Sequence, residues 1–239
     1  MGLMDVLFKP GSYHPKLIQK EPLNEPTTPM QTTKKHQSSE RVKPIALPIS
    51  FKEIEHVSKH LKNDGEYYYL FLCCYLFGLR VTEALNLKRG DFEIKEDVLN
   101  VKVNTLKNRR TPIRILPCYL YGKEQGMVQE LIDHIVSIQD YSQKLFSVTR
   151  QRAYNHFTET IEYPVRAIDP RTRRFIDITF KVHPHYLRHC RLTHLVTEYN
   201  FDLMRLIQYA GWTNSNPATI YVSMDWSSLA TPLMKNNNV

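Results

Sequence analysis

The chain has 239 residues, enough for one domain with an appendage, and its 42% hydrophobic content supports a sizeable core. A net charge of +8 favours a polyanionic partner. The apolar runs fall short of the ~18 residues that span a bilayer, the first residues lack a signal-peptide pattern, and four cysteines without a C-x-x-C argue against a zinc ribbon and for a reducing compartment.

Residues 1–47 read as a flexible, partly basic arm. Glu21–Lys43 is rich in Pro, Thr, Gln, Ser and Lys and too poor in apolar residues to offset its ordering entropy. Lys34, Lys35, Arg41 and Lys43 either touch DNA backbone or solvate a linker. The domain is expected over 48–225, opening at Pro48-Ile49-Ser50. Ser50 and Glu53 have capping-box spacing, and Ile54, Val57 and Leu61 follow at helical period. Asn63-Asp64-Gly65 ends that helix. A second helix over 66–77 is apolar nearly all round, as a central buried helix is, and makes Cys73 and Cys74 small core residues.

Gly78-Leu79-Arg80 forms a turn that starts a short helix, with Arg80 either a held guanidinium beside Glu83 or half of an ordinary ion pair. Strands are expected at 98–103 and 112–116. Between them Lys107, Arg109 and Arg110, with Arg114 just beyond, make a basic hairpin tip suited to phosphate or to solvent. Helices over 124–138 and 149–162 follow, the second with Arg150 and Arg152 at its start. After the charged turn 169–174 comes a strand over 175–182.

The stretch from His183 onward concentrates polar chemistry. His185 and Arg188 are three apart and share a helical face. A helix over 202–209 closes at Gly211, Trp212 follows, and Asn216-Pro217 opens a last helix carrying Tyr221. Taken singly, His185, Trp212 and Tyr221 also suit a core. His183, His189 and His194 match no metal-ligand spacing, so no metal is expected.

Taken together and in order, these residues resemble the catalytic domain of the tyrosine recombinases of phage-integrase type. Gly78-Leu79-Arg80 with Glu83, Lys107, His185-Tyr186-Leu187-Arg188, Gly211-Trp212 and Tyr221 match that family's motifs over about 48–225, with nine residues from Trp212 to Tyr221. Trp212 stands where most members have His, and a polar arm stands where the family usually carries a helical DNA-clamping domain.

The resemblance implies a mainly helical α+β fold with a small antiparallel β-hairpin sheet. It also implies DNA cleavage and rejoining through a 3′-phosphotyrosyl intermediate. Tyr221 would be the nucleophile, Arg80 and Arg188 the phosphate clamp, Lys107 the general acid, His185 a proton handler, Trp212 an indole donor and Glu83 the orienting carboxylate. Arg109, Arg110, Arg114, Arg150 and Arg152 would contact double-stranded DNA. No cofactor, small-molecule substrate or membrane is expected. The expected setting is the cytoplasm of a prokaryotic cell or of the host of a virus or plasmid, the assembly a homotetramer on DNA, with 226–239 docking on a neighbour. A type IB topoisomerase-like nicking enzyme and a non-catalytic DNA-binding accessory protein are the competing readings.

Overall fold

The computed structural model describes residues 45–105 and 113–222. The arm up to residue 44, the hairpin tip at 106–112 and the segment beyond 222 lie outside the described residues. Helix α1 (Phe51–Leu61) begins with the expected capping box. Ser50 Oγ accepts from the Glu53 N–H at 3.4 Å, and Glu53 Oε2 accepts from the Ser50 N–H at 2.6 Å. It buries Ile54, Val57 and Leu61 against α2 (Glu66–Leu76). Helix α2 is enclosed over most of its surface, Leu70 through Leu76 being fully buried, which is why its sequence shows no polar face.

The short helix α3 (Val81–Ala84) follows a turn at Gly78. Strands β2 (Phe92–Lys95), β3 (Val98–Asn104) and β4 (Ile113–Tyr119) make an antiparallel sheet in the order β2-β3-β4, with Val103 opposite Arg114 and Leu99 opposite Cys118. Helix α4 (Gln125–Ser137) buries Met127, Val128, Leu131 and Ile135, and α5 (Arg150–Thr160) buries Ala153 and Phe157. Helices α6 (Pro184–Thr197), α7 (Leu203–Ala210) and α8 (Asn216–Val222) close the domain, with α6 lying along α2. Among the described residues no helix is long and apolar enough to cross a membrane.

A second antiparallel sheet departs from the sequence expectation. Strands β5 (Glu162–Ile168) and β6 (Phe175–Lys181) form a hairpin, and β1 (Ile45–Ala46) adds to β5 through Ile45 opposite Ile168. Helix α5 therefore stops at Thr160, not 162, and strand β1 lies inside the stretch 1–47 expected to be an arm. Strand β5 contains Pro164, Arg166 and Glu162 on its exposed side, so its alternation is carried inward by only Val165 and Ala167.

Polar bonds inside the core fix how α6 sits. His194 Nδ1 lies 2.9 Å from Tyr75 Oη and its Nε2 lies 2.8 Å from the Ile49 carbonyl oxygen, so the neutral ring accepts from tyrosine and donates to backbone. Arg191, buried, pairs with buried Glu124 at the start of α4 and lies over the rings of Tyr75 and Tyr199. Two charges out of water hold only while paired. Glu124→Gln should therefore lower stability in urea titration by about 3 kcal/mol. Replacing both partners, Glu124→Leu with Arg191→Met, should recover most of that loss. A single variant as stable as the parent would show that the pair holds nothing.

Candidate active site

Gly78 adopts φ of 57°, a left-handed turn that delivers Arg80 to the N-cap of α3. Glu83, one turn on, has a fully buried side chain, and two arginines satisfy it. Its Oε1 accepts from Arg80 Nη1 at 3.0 Å, and its Oε2 accepts from the Arg80 N–H at 2.9 Å and from Arg114 Nη2 at 2.9 Å. Arg188 Nη1, from α6, stands 3.9 Å from the same Oε2. Three guanidiniums thus meet one carboxylate, leaving two positive charges uncompensated within the cluster. An excess of cations around a shared anchor is an anion site.

Arg188 is almost wholly buried. Its Nη1 donates to the Gly78 carbonyl and its Nη2 to the Ala210 carbonyl at 2.8 Å, which uses two of its five N–H donors. Burial, then the charges of Arg80 and Arg114, pull its pKa down to about 10, so it remains charged at neutral pH. Its guanidinium carbon lies 5.8 Å from the centre of the Trp212 ring. Trp212 in turn stacks on Tyr221, with centroids 5.8 Å apart and planes 27° from parallel. His185 stands exposed on the first turn of α6; partial burial and the charges of Arg188 and Arg80 hold its pKa below the ordinary histidine value.

The Tyr221 hydroxyl lies 3.0 Å from His189 Nδ1. Burial raises the phenol's pKa above its usual value, while Arg188 opposes that rise. By sequence alone His189 stands out only as a metal candidate. Its signal was available: His189 is four residues from His185 and so shares its side of α6. What the spacing cannot disclose is that Tyr221, on another helix, folds onto it.

The structure thus brings together Arg80, Glu83, His185, Arg188, Trp212 and Tyr221, as the motif order implied. Lys107, Arg109 and Arg110 lie outside the described residues. Arg150 and Arg152 are exposed at the start of α5, and among the described residues no hydrogen bond or ion pair ties their side chains to the cluster. Arg114 corrects the expectation of a surface DNA contact. Its side chain is 8% exposed, bonded to Glu83 and, through Nη1, to the Ala210 carbonyl at 3.0 Å. The reason is strand register: Arg114, Leu116 and Cys118 alternate on the inward face, while Ile113, Ile115 and Pro117 point out.

The Ala210 carbonyl therefore takes two arginines, and Gly211 gives them room. Gly211 ends α7 at φ 67°, with the Trp212 N–H donating to the Ile207 carbonyl at 3.1 Å. A Cβ there would come within 1.9 Å of Arg114 Nη1. Gly211→Ala should cost roughly 1–3 kcal/mol from the left-handed backbone and the displaced guanidinium together. Thermal unfolding checks the cost. A variant with the parent's melting temperature would mean that Arg114 moves aside freely.

The sequence matches the phage integrase family over residues 49–227. It is 27% identical over 190 residues to tyrosine recombinase XerC of Thermodesulfovibrio yellowstonii, an alignment covering 77% of this chain and 59% of that protein. The chain thus spans less than two thirds of that relative's length. The fold is similar to that of XerH site-specific recombinase bound to difH substrate in a pre-cleavage complex, with a TM-score of 0.56 and 17% identity over 80% of this chain and 55% of that one. It is also similar to the Tn1549 transposon integrase in complex with transposon right end DNA, with a TM-score of 0.51 and 15% identity over 80% of this chain and 65% of that one. Because the matched span encloses every residue of the cluster and the fold agrees with it, the chain belongs to the phage integrase family.

Proposed function

We propose that this chain is a site-specific recombinase that cuts and rejoins double-stranded DNA through a 3′-phosphotyrosyl link on Tyr221. The observation that carries the reading is the placing of a tyrosine hydroxyl beside a cation-rich anion site. Tyr221 stacks on Trp212, which lies against Arg188, which shares Glu83 with Arg80. The DNA seen with the Tn1549 integrase and the net charge of +8 support DNA as the partner.

The reaction follows from the groups. Tyr221 Oη attacks phosphorus and the bond to the 5′-oxygen breaks, conserving the bond energy for a later 5′-hydroxyl. Arg80 and Arg188 hold the non-bridging oxygens, where negative charge grows in the transition state. Lys107 protonates the leaving oxygen. His185, exposed beside both arginines, hydrogen-bonds the phosphate. Trp212 adds an N–H donor that does not titrate. The residues of the tip at 106–112 and of the start of α5 grip the duplex backbone. The setting is the cytoplasm of a prokaryotic cell or of the host of a mobile element.

A suicide duplex that loses its 5′-hydroxyl strand after cleavage should trap the parent chain covalently. Tyr221→Phe should bind the duplex nearly as well and form no adduct; an adduct with that variant sinks the assignment. Arg188→Ala should slow cleavage by about 10²–10³ with a far smaller change in affinity. Equal losses in rate and affinity would reduce Arg188 to a binding role.

Exchanging strands between two duplexes requires four cuts and hence four nucleophiles, which motivates a homotetramer on DNA with residues 226–239 packing on a neighbouring copy. Sedimentation on a paired-site DNA should give four chains per complex, and fewer after deletion of 226–239. Unchanged assembly by the truncated chain would exclude that packing.

A further inference from the structure

We propose that His189 is the base that takes the phenolic proton from Tyr221 during attack, leaving His185 to the phosphate. The inference rests on the reading of Tyr221 as nucleophile and adds a catalytic residue to it.

Geometry separates two imidazoles one helical turn apart. His189 Nδ1 is 3.0 Å from Tyr221 Oη, with ring centroids 5.1 Å apart and the planes tilted by 56°. Trp212 covers the phenol at 27° from parallel and keeps it in place. His185 is exposed, and the charges it meets are those of Arg188 and Arg80. One ring therefore addresses the attacking oxygen and the other the oxygens of the group attacked.

Protonation states agree with this division. Among the described residues, the titratable groups that act on the pair are His185, Arg188 and Cys190, all on α6. Burial, then His185, pushes the His189 pKa down to about 4, so its ring is neutral, and in the tautomer protonated at Nε2 its Nδ1 accepts from the phenol. Tyr221 is shifted the opposite way by burial, so the phenol keeps its proton until attack. A phosphodiester bound beside them adds negative charge, which favours imidazolium and raises the basicity of Nδ1 as the step proceeds.

The step balances without another reactant. The Oη–P bond forms, the P–O5′ bond breaks, the phenolic proton passes to His189 Nδ1, and Lys107 supplies a proton to the 5′-oxygen. On rejoining, His189 returns its proton to Tyr221 and Lys107 recovers its own. The two imidazoles take different tasks because their surroundings differ.

The test is single-turnover cleavage of the suicide duplex between pH 6.5 and 9 by the parent chain, His189→Ala, His189→Gln and His185→Ala, with duplex affinity and circular dichroism measured on each. The parent should show a nearly flat profile above neutrality. His189→Ala should be slower by about 10²–10⁴ at pH 7, the range a positioned base contributes. Its rate should rise about tenfold per pH unit as hydroxide replaces the base, and added imidazole should restore part of it. His189→Gln, which offers a hydrogen bond and no proton acceptor, should share the loss and keep the fold if alanine does not. His185→Ala should be slow without either the pH slope or the imidazole response. Wild-type rates in both His189 variants, faster cleavage on their removal, or the slope and rescue appearing in His185→Ala would overturn the proposal. A parent chain that forms no adduct, or an adduct that survives Tyr221→Phe, would instead overturn the reading beneath it.

Discussion

One buried carboxylate holds the site together. Glu83 accepts from Arg80 with one oxygen and from the Arg80 backbone and Arg114 with the other, and it is the nearest counter-charge to Arg188. Three segments far apart in the chain depend on it: the turn after α2, strand β4 and helix α6. Guanidiniums crowded this closely would repel one another and pay heavily for desolvation without an anion among them. With it, they keep a surplus of positive charge. The carboxylate is thus both the structural anchor and the reason that the site is cationic without being self-disrupting.

Arg114 widens the effect of that anchor. It shares the Ala210 carbonyl with Arg188, so the end of α7, and with it Trp212, is keyed to the Glu83 cluster from two sides. Strand β4 begins directly after the segment that carries Lys107. A single guanidinium therefore ties the base of that hairpin to the backbone before Trp212 and to the carboxylate beneath Arg80.

Much of this was legible in the sequence because the relevant signals are local. The S-x-x-E cap, the unbroken apolar run of α2, Gly211 after α7 and Pro217 at the start of α8 each act within a turn or two of chain. The family's motifs are legible jointly, through their order and the nine residues from Trp212 to Tyr221. What escaped depends on register or on long-range contact. By charge alone Arg114 reads as part of a basic tip; its parity in β4 turns it inward. Strand β5 was hidden by Pro164 and by charged residues on its outer face. The bond between His189 and Tyr221 joins two helices whose packing no local pattern encodes.

Trp212 has a consequence for how the site answers to acidity. An indole takes up no proton, Arg188 stays charged at neutral pH, and the imidazoles of His185 and His189 are both held below the usual histidine value. At neutral pH Arg188, Trp212 and His189 accordingly keep one charge state. Together they present a fixed pattern of charge, and a negative charge brought among the arginines would favour proton uptake at the imidazoles.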